Sequence, residues 1–115
     1  MNKLLSALAA ATLLAAPSAL RAQSAPVLAV ISHPVQDYAR WRAVYDDFAD
    51  EQKAGGVIME QVYRDPADPD QVLVLHGFET MEAAESFLSS DELRSAMEGA
   101  GVAGPPDIRV MTSAD

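Results

Sequence analysis

The sequence contains no cysteine among its 115 residues, and it has only two histidines and one tryptophan. The lack of cysteine excludes disulfide bonds, thiol catalysis and cysteine-ligated metal sites. Basic residues are also few, with eight scattered along the chain against seventeen acidic residues. Because nucleic acids and anionic membranes bind clustered lysine and arginine, neither is expected as a partner. The short length predicts one domain and excludes a multidomain enzyme.

Residues 1–22 have the pattern of a secretory signal peptide. Lys3 supplies a positive charge, an apolar run rich in leucine and alanine follows, Pro17 ends it, and Ala22 precedes the cleavage point. The run is shorter than the about 20 residues that span a membrane, so no membrane association is expected after cleavage. The pattern predicts a periplasmic or secreted protein, with a short tether at 23–26 and a single domain at 27–115. Six basic and seventeen acidic residues remain after the leader, a net charge of −11.

Hydrophobic periodicity divides the predicted domain into alternating strands and helices. Aromatic residues spaced three and four apart predict a helix that begins after Asp37 and ends at Gly55 and Gly56. Strands are predicted at 27–31, 57–63, 71–78 and 108–112, and further helices at 80–88 and 89–97. A capping box at Ser89 and Glu92 begins the last helix. The order β-α-β-β-α-β, with its second helix broken in two, predicts an α+β ferredoxin-like fold with a four-stranded antiparallel sheet and helices on one face.

The predicted first and third strands are apolar on both of their faces. In the first strand Leu28 and Val30 alternate with Ala29 and Ile31, and the third strand has the same character. Helices cover only one face of such a sheet, and a large uncovered apolar face is rare on soluble monomers. The sequence therefore predicts a homodimer through the sheet face, the symmetric solution that uses one patch twice.

Two segments resemble a known family. The segment 33–38 (HPVQDY), followed by Trp41, and the tail from Phe87 to Met97 are similar to the dimeric α/β-barrel relatives of the antibiotic biosynthesis monooxygenases, in a subgroup labelled "cyclase". The resemblance covers residues 27–112. It implies a homodimer whose two sheets form a barrel, with a small pocket between sheet and helices in each subunit. Cofactor-free oxygenases and heme-degrading members of the family depend on an Asn, a Trp and a His, but residues 23–115 contain no Asn, so that set is not transferred.

Five residues are predicted to bind a small aromatic or apolar ligand, through aromatic faces or imidazole rings. They are His33, Tyr38, Trp41, Tyr45 and His76. A competing interpretation makes the aromatic stripe a plain core, His33 a strand-end residue and His76 a hydrogen-bonded core residue. The two histidines lack the spacing of a metal site, so no metal is expected, and no cofactor is predicted. No catalytic role is assigned to any residue.

Three functions are considered at this point, and the first is favoured. It is an exported small-molecule-binding protein, with or without an enzymatic activity on an unidentified substrate. The second, which the resemblance implies, is a cofactor-independent monooxygenase of the antibiotic biosynthesis type. The third is a non-catalytic envelope protein whose only chemistry is self-association. Binding of a small molecule separates the first two functions from the third.

The leader pattern predicts that the mature chain starts near Gln23. Mass spectrometry of the protein from an exporting host is expected to show a chain without residues 1–22. A soluble cytoplasmic product that still begins at Met1 would contradict export.

Overall fold

The structure, a computed structural model, describes residues 25–115. The predicted signal peptide and the first part of the tether lie outside the described residues. The elements are β1 (Val27–Pro34), α1 (Tyr38–Asp47), α2 (Ala49–Ala54), β2 (Met59–Arg64), β3 (Gln71–Phe78), α3 (Met81–Leu88), α4 (Asp91–Gly99) and β4 (Asp107–Thr112). All neighbouring strands are antiparallel, in the order β2-β3-β1-β4. This layout confirms the predicted ferredoxin-like fold, and within residues 25–115 no helix is long and apolar enough to cross a membrane.

The aromatic helix is divided, whereas its sequence predicts one continuous helix. Phe48 separates α1 from α2, and its backbone N–H donates to the carbonyl oxygens of both Val44 and Tyr45. The bond to Tyr45, three residues earlier, closes a tighter turn than the bond to Val44, four residues earlier, which is the α-helical one. The Phe48 ring then lies 6.3 Å from the ring of Phe87, measured between centroids. Packing against α3 therefore accompanies the break.

The capping box predicted at Ser89 and Glu92 is wrong by one residue. Ser90 is the N-cap of α4, and its hydroxyl oxygen accepts a hydrogen bond from the backbone N–H of Leu93 at 3.2 Å. Ser89 instead ends α3, where its hydroxyl donates to the carbonyl oxygen of Glu85 at 2.8 Å. A capping box needs an acceptor side chain three residues after the cap, and Leu93 provides none. Two adjacent serines thus serve two different helices.

The sheet has two different faces. The face toward the helices carries the core, including Ala29, Val72 and Phe78, which are fully buried. On the opposite face the apolar side chains are half-buried or, for Tyr63 and Met111, about half exposed. Those outward apolar residues, called here the outer face, are Leu28, Val30, Met59, Tyr63, Leu73, Leu75 and Met111.

The strand register places both histidines on the helix side of the sheet. His33 pairs with Val72 and His76 pairs with Ala29, so each histidine is level with a buried partner. Side chains alternate between faces along a strand, and both histidines therefore point toward α1 and its neighbours. This register is what brings the two imidazoles under the aromatic helix.

Candidate functional site

A small cavity lies between α1, α4 and the helix-facing side of the sheet. Its volume is about 50 Å³, which is room for a few water molecules, since one needs about 10–15 Å³. The wall is mostly apolar, with contributions from both helices and from β1, β3 and β4. Its side chains that bear polar atoms are His33, Trp41, Tyr45, Gln52 and His76.

Four of the five predicted ligand-binding residues line this cavity. Tyr38 does not: its ring lies 5.8 Å from Trp41, and the guanidinium carbon of Arg64 stands 3.7 Å over its centroid. A cation over an aromatic ring is attracted by the partial negative charge of the ring face, and this contact helps to hold the first turn of α1 in place. Tyr38 therefore supports the site from outside the cavity.

Trp41 forms the aromatic centre of the cavity wall. It is only 4% exposed, and its ring lies 4.9 Å from that of Tyr45 in a nearly parallel stack. His33 approaches it edge-on at 5.8 Å. These geometries are the favourable arrangements of aromatic pairs, and they hold the three rings as one rigid surface.

His76, Tyr45 and Glu60 form a hydrogen-bonded chain from the cavity to the surface. The Tyr45 hydroxyl donates to a Glu60 carboxylate oxygen at 2.6 Å and lies 3.2 Å from Nε2 of His76. A tyrosine hydroxyl has one proton, and an ionised carboxylate can only accept. His76 must therefore carry its proton on Nε2 and donate it to the Tyr45 oxygen. The other ring nitrogen, Nδ1, is left with a free lone pair.

That second nitrogen is the most unusual polar atom of the site. Nδ1 of His76 is buried and has no hydrogen-bond partner among the described residues. Burial lowers the pKa of His76 to about 4, although the negative charge of Glu60 opposes the shift. Burial, together with the Glu60 hydrogen bond, raises the pKa of Tyr45 well above its usual range. At neutral pH the site holds a neutral imidazole and a neutral phenol.

His33 is buried as well, at 3% exposed, and it lies one residue before the end of β1. Its Nδ1–H donates to the carbonyl oxygen of Pro34 at 3.3 Å, since a carbonyl can only accept. Burial lowers the pKa of His33, and the bond to Pro34 partly offsets this. His33 is a second neutral imidazole in the cavity wall.

Glu60 and Gln52 belong to the site but are missing from the sequence prediction. Glu60 pairs with His76 across β2 and β3, a relation that only the register reveals. Gln52 is 5% exposed and lies on α2, where its neighbours in sequence are charged. Within residues 25–115 no three potential metal-ligating side chains cluster together.

Lowering the pH is expected to destabilise the folded state through His76. The unfolded chain binds a proton at the ordinary histidine pKa of 6.5, whereas folded His76 stays neutral down to about 4. Stability is therefore fully present above pH 6.5 and is lost as pH falls toward 4, by about 2 kcal/mol between pH 7 and pH 5. Urea unfolding of the wild type and of His76→Gln at both pH values checks this. An equal loss in both proteins would contradict it.

Known proteins of the same architecture match this chain. Residues 27–99 match the profile of the family described as Antibiotic biosynthesis monooxygenase. A putative antibiotic biosynthesis monooxygenase from Caulobacter crescentus CB15 is 23% identical, with a TM-score of 0.65, and the match covers 77% of this chain and 90% of that one. SnoaB, a cofactor-independent oxygenase from Streptomyces nogalater, is 13% identical, with a TM-score of 0.65 and coverage of 77% and 93%.

A third structure is a monooxygenase from the gene ActVA-Orf6 of Streptomyces coelicolor in complex with the ligand Nanaomycin D. It is 22% identical, with a TM-score of 0.60 and coverage of 79% and 89%. No curated protein matches the sequence significantly. None of the three structures is called a cyclase, so that finer assignment stays a prediction. The family profile spans more than half of the sequence, and the ferredoxin-like sheet agrees with it: the chain belongs to the antibiotic biosynthesis monooxygenase family.

Proposed function

We propose that this chain binds a small aromatic or apolar molecule and removes a proton from it at Nδ1 of His76. The observation that carries this proposal is the buried lone pair of that nitrogen, which has no partner and belongs to a residue of a mostly apolar cavity wall. Buried polar atoms normally find a partner, so an unpaired acceptor on a residue of the wall suits a ligand that donates an O–H or an acidic C–H.

The hydrogen bonds that lead from His76 through Tyr45 to Glu60 support such a transfer. When Nδ1 takes a proton, the ring becomes an imidazolium, and its Nε2–H still donates to the Tyr45 oxygen. The hydroxyl of Tyr45 in turn donates to the carboxylate of Glu60. A carboxylate at the end of the chain stabilises the positive charge on the ring, as it does for a histidine base held by an aspartate. The deprotonated ligand adds a second negative charge next to the ring and favours its protonated form.

Trp41 and Tyr45 position the ligand in this mechanism. Their stacked rings form a flat wall beside His76, and Trp41 lies between the two histidines. A planar ligand against this wall gains aromatic contact, while the apolar surroundings exclude water from the anion that forms. Glu60 never touches the ligand, so it acts through Tyr45 as a positioning residue.

Family membership favours one particular reaction for this site, a cofactor-independent oxygenation. A substrate CH₂ group that loses a proton becomes an electron-rich anion, which can give an electron to O₂. With net conversion of CH₂ to C=O, one oxygen atom enters the product and the other leaves as water, so the electrons balance without a cofactor. The described residues contain no Asn. The side-chain amide in the cavity wall of this chain is that of Gln52, beside the imidazole and phenol groups.

Ligand binding is expected to stabilise the folded protein. A phenol such as 2-naphthol at 100 times its Kd raises the unfolding free energy by about 2.7 kcal/mol, which a thermal-shift assay detects. Trp41→Phe is expected to weaken the shift, and His76→Phe, which keeps a ring but removes the nitrogen acceptor, is expected to weaken it as well. Met81→Ala, an exposed residue outside the cavity wall, is the matched control.

Two results would contradict the proposal. One is a thermal shift with 2-naphthol that is the same in His76→Phe and in the wild type. The other is the absence of a thermal shift with every small phenol, which leaves self-association as the only chemistry. His33→Ala is not a suitable control, because its buried side chain contributes to stability as well as to the cavity. Oxygen uptake with a bound substrate then tests the oxygenase reaction separately.

We also propose that the protein is an exported homodimer. The support for export is the leader pattern at residues 1–22, and the support for the dimer is the apolar outer face of the sheet. Helices cover the other face only, so the outer face remains in water in a single subunit. A second copy that applies the same face removes this apolar surface from water.

Light scattering at micromolar concentration is expected to give the mass of a dimer. Leu73→Glu places a charge in the middle of the outer face, where burial without a partner costs several kcal/mol, and is expected to give monomers. Ile58→Glu is the control, since Ile58 is also exposed but lies outside the outer face. A monomeric mass for the unmodified protein would overturn the dimer.

A further inference from the structure

A groove on the surface adjoins the cavity and shares part of its wall. The groove lies along α4 and the start of β4, with a volume of about 330 Å³. Four residues line both spaces: Leu88, Leu93, Met97 and Ile108. These side chains therefore lie between the cavity and the groove.

The cavity alone is too small for the ligand that the proposed function requires. A cavity of about 150 Å³ is known to hold one benzene molecule, whereas this one has about 50 Å³. The groove is at the lower end of the size range of small-molecule sites, about 300–1,000 Å³. A ring system whose reactive group reaches His76 must therefore extend across the shared wall into the groove.

Ile108 is placed to control this passage. It lies on β4, at the edge of the sheet, opposite Ile31 of β1. Ile31 is 6% exposed and lines only the inner cavity, while Ile108 is 38% exposed and lines both spaces. This pair of residues thus extends from the wall of the cavity to the surface of the protein.

The opposite side of the passage is formed by α4. Leu93 and Met97, four residues apart, lie on the same side of this helix and are half-buried. The helix is held near its ends, by the Ser90 cap and by the guanidinium of Arg40, which donates to the carbonyl oxygen of Gly99 at 3.2 Å. Leu93 also packs against the hydrophobic core.

We infer that Ile108, with Leu93 and Met97 facing it, is the gate between groove and cavity and sets the width of the ligand that reaches His76. This inference rests on the proposed function, because it names the entry route and size limit of the same site. The occupant of the groove is the outer part of an uncharged, planar aromatic ligand. The inner part, with its acidic O–H or C–H, occupies the cavity.

The only tryptophan of the sequence reports on this gate without any ligand. Trp41 lies inside the cavity wall, so quenching of its fluorescence by acrylamide measures how easily a small neutral molecule enters. Ile108→Ala is expected to raise the quenching constant, and Ile108→Phe to lower it. Met111→Ala, a change on the outer face of the same strand, is expected to leave it unchanged.

The opposite changes in the quenching constants of Ile108→Ala and Ile108→Phe distinguish a gate from a general loosening of the fold. A general loss of stability would raise quenching in both Ile108 variants, and that result would overturn the inference, as would equal quenching in the wild type and Ile108→Ala. Binding of phenol and 2-naphthol by calorimetry gives the size limit. Ile108→Ala is expected to favour 2-naphthol over phenol by about tenfold relative to wild type, the usual effect of small changes in an apolar pocket; an unchanged ratio would overturn the size limit.

Quenching and binding also distinguish this inference from the proposed function. If neither phenol binds but the quenching constants change as expected, the gate stands and the proposed ligand class fails. If the phenols bind and the quenching constants do not change, the ligand enters elsewhere and the gate fails.

Discussion

The pairing register of β1 with β3 is the constraint on which the rest of the site depends. These two strands form the centre of the sheet, and their alternation places both histidines on the helix side. A slip of one residue in either strand would move its histidine and its buried valines to the opposite face together. Burial of Ala29, Val72 and Phe78 against the helices opposes such a slip. The same hydrophobic core that stabilises the fold therefore holds the imidazoles beneath α1.

Much of the fold is predictable from the sequence, because it rests on local patterns. The four strands are predicted close to their observed positions, and the helix predicted at 80–88 begins at Thr80, the N-cap of α3, whose hydroxyl accepts from the N–H of Ala83. Local patterns are less precise at boundaries. Ser89 and Ser90 both suit a cap, and only the packing of α3 against its neighbours decides which one begins α4. The break at Phe48 is likewise accompanied by a contact with a distant residue, Phe87.

The site is less predictable, because its chemistry comes from contacts between distant segments. Aromatic spacing identifies Trp41 and Tyr45, but nothing in the sequence joins Tyr45 to Glu60, which hydrogen-bonds to it from β2. The free lone pair of His76 follows from that bond, because the direction of the Tyr45 proton determines the tautomer of the ring. Tyr38 shows the opposite case. It shares the helical stripe, yet it lies beyond the cavity under Arg64.

The position of Glu60 has a further consequence when it is considered with the strand order. Glu60 belongs to β2 and Ile108 to β4, which form the two opposite edges of the sheet. Compensation of charge at the imidazole therefore takes place at one edge, and admission of the ligand takes place at the other. The cavity lies between these two edges, which share no residue. Within such a scaffold, the rate of proton removal and the choice of substrate are free to evolve independently, because a substitution at either edge leaves the other intact.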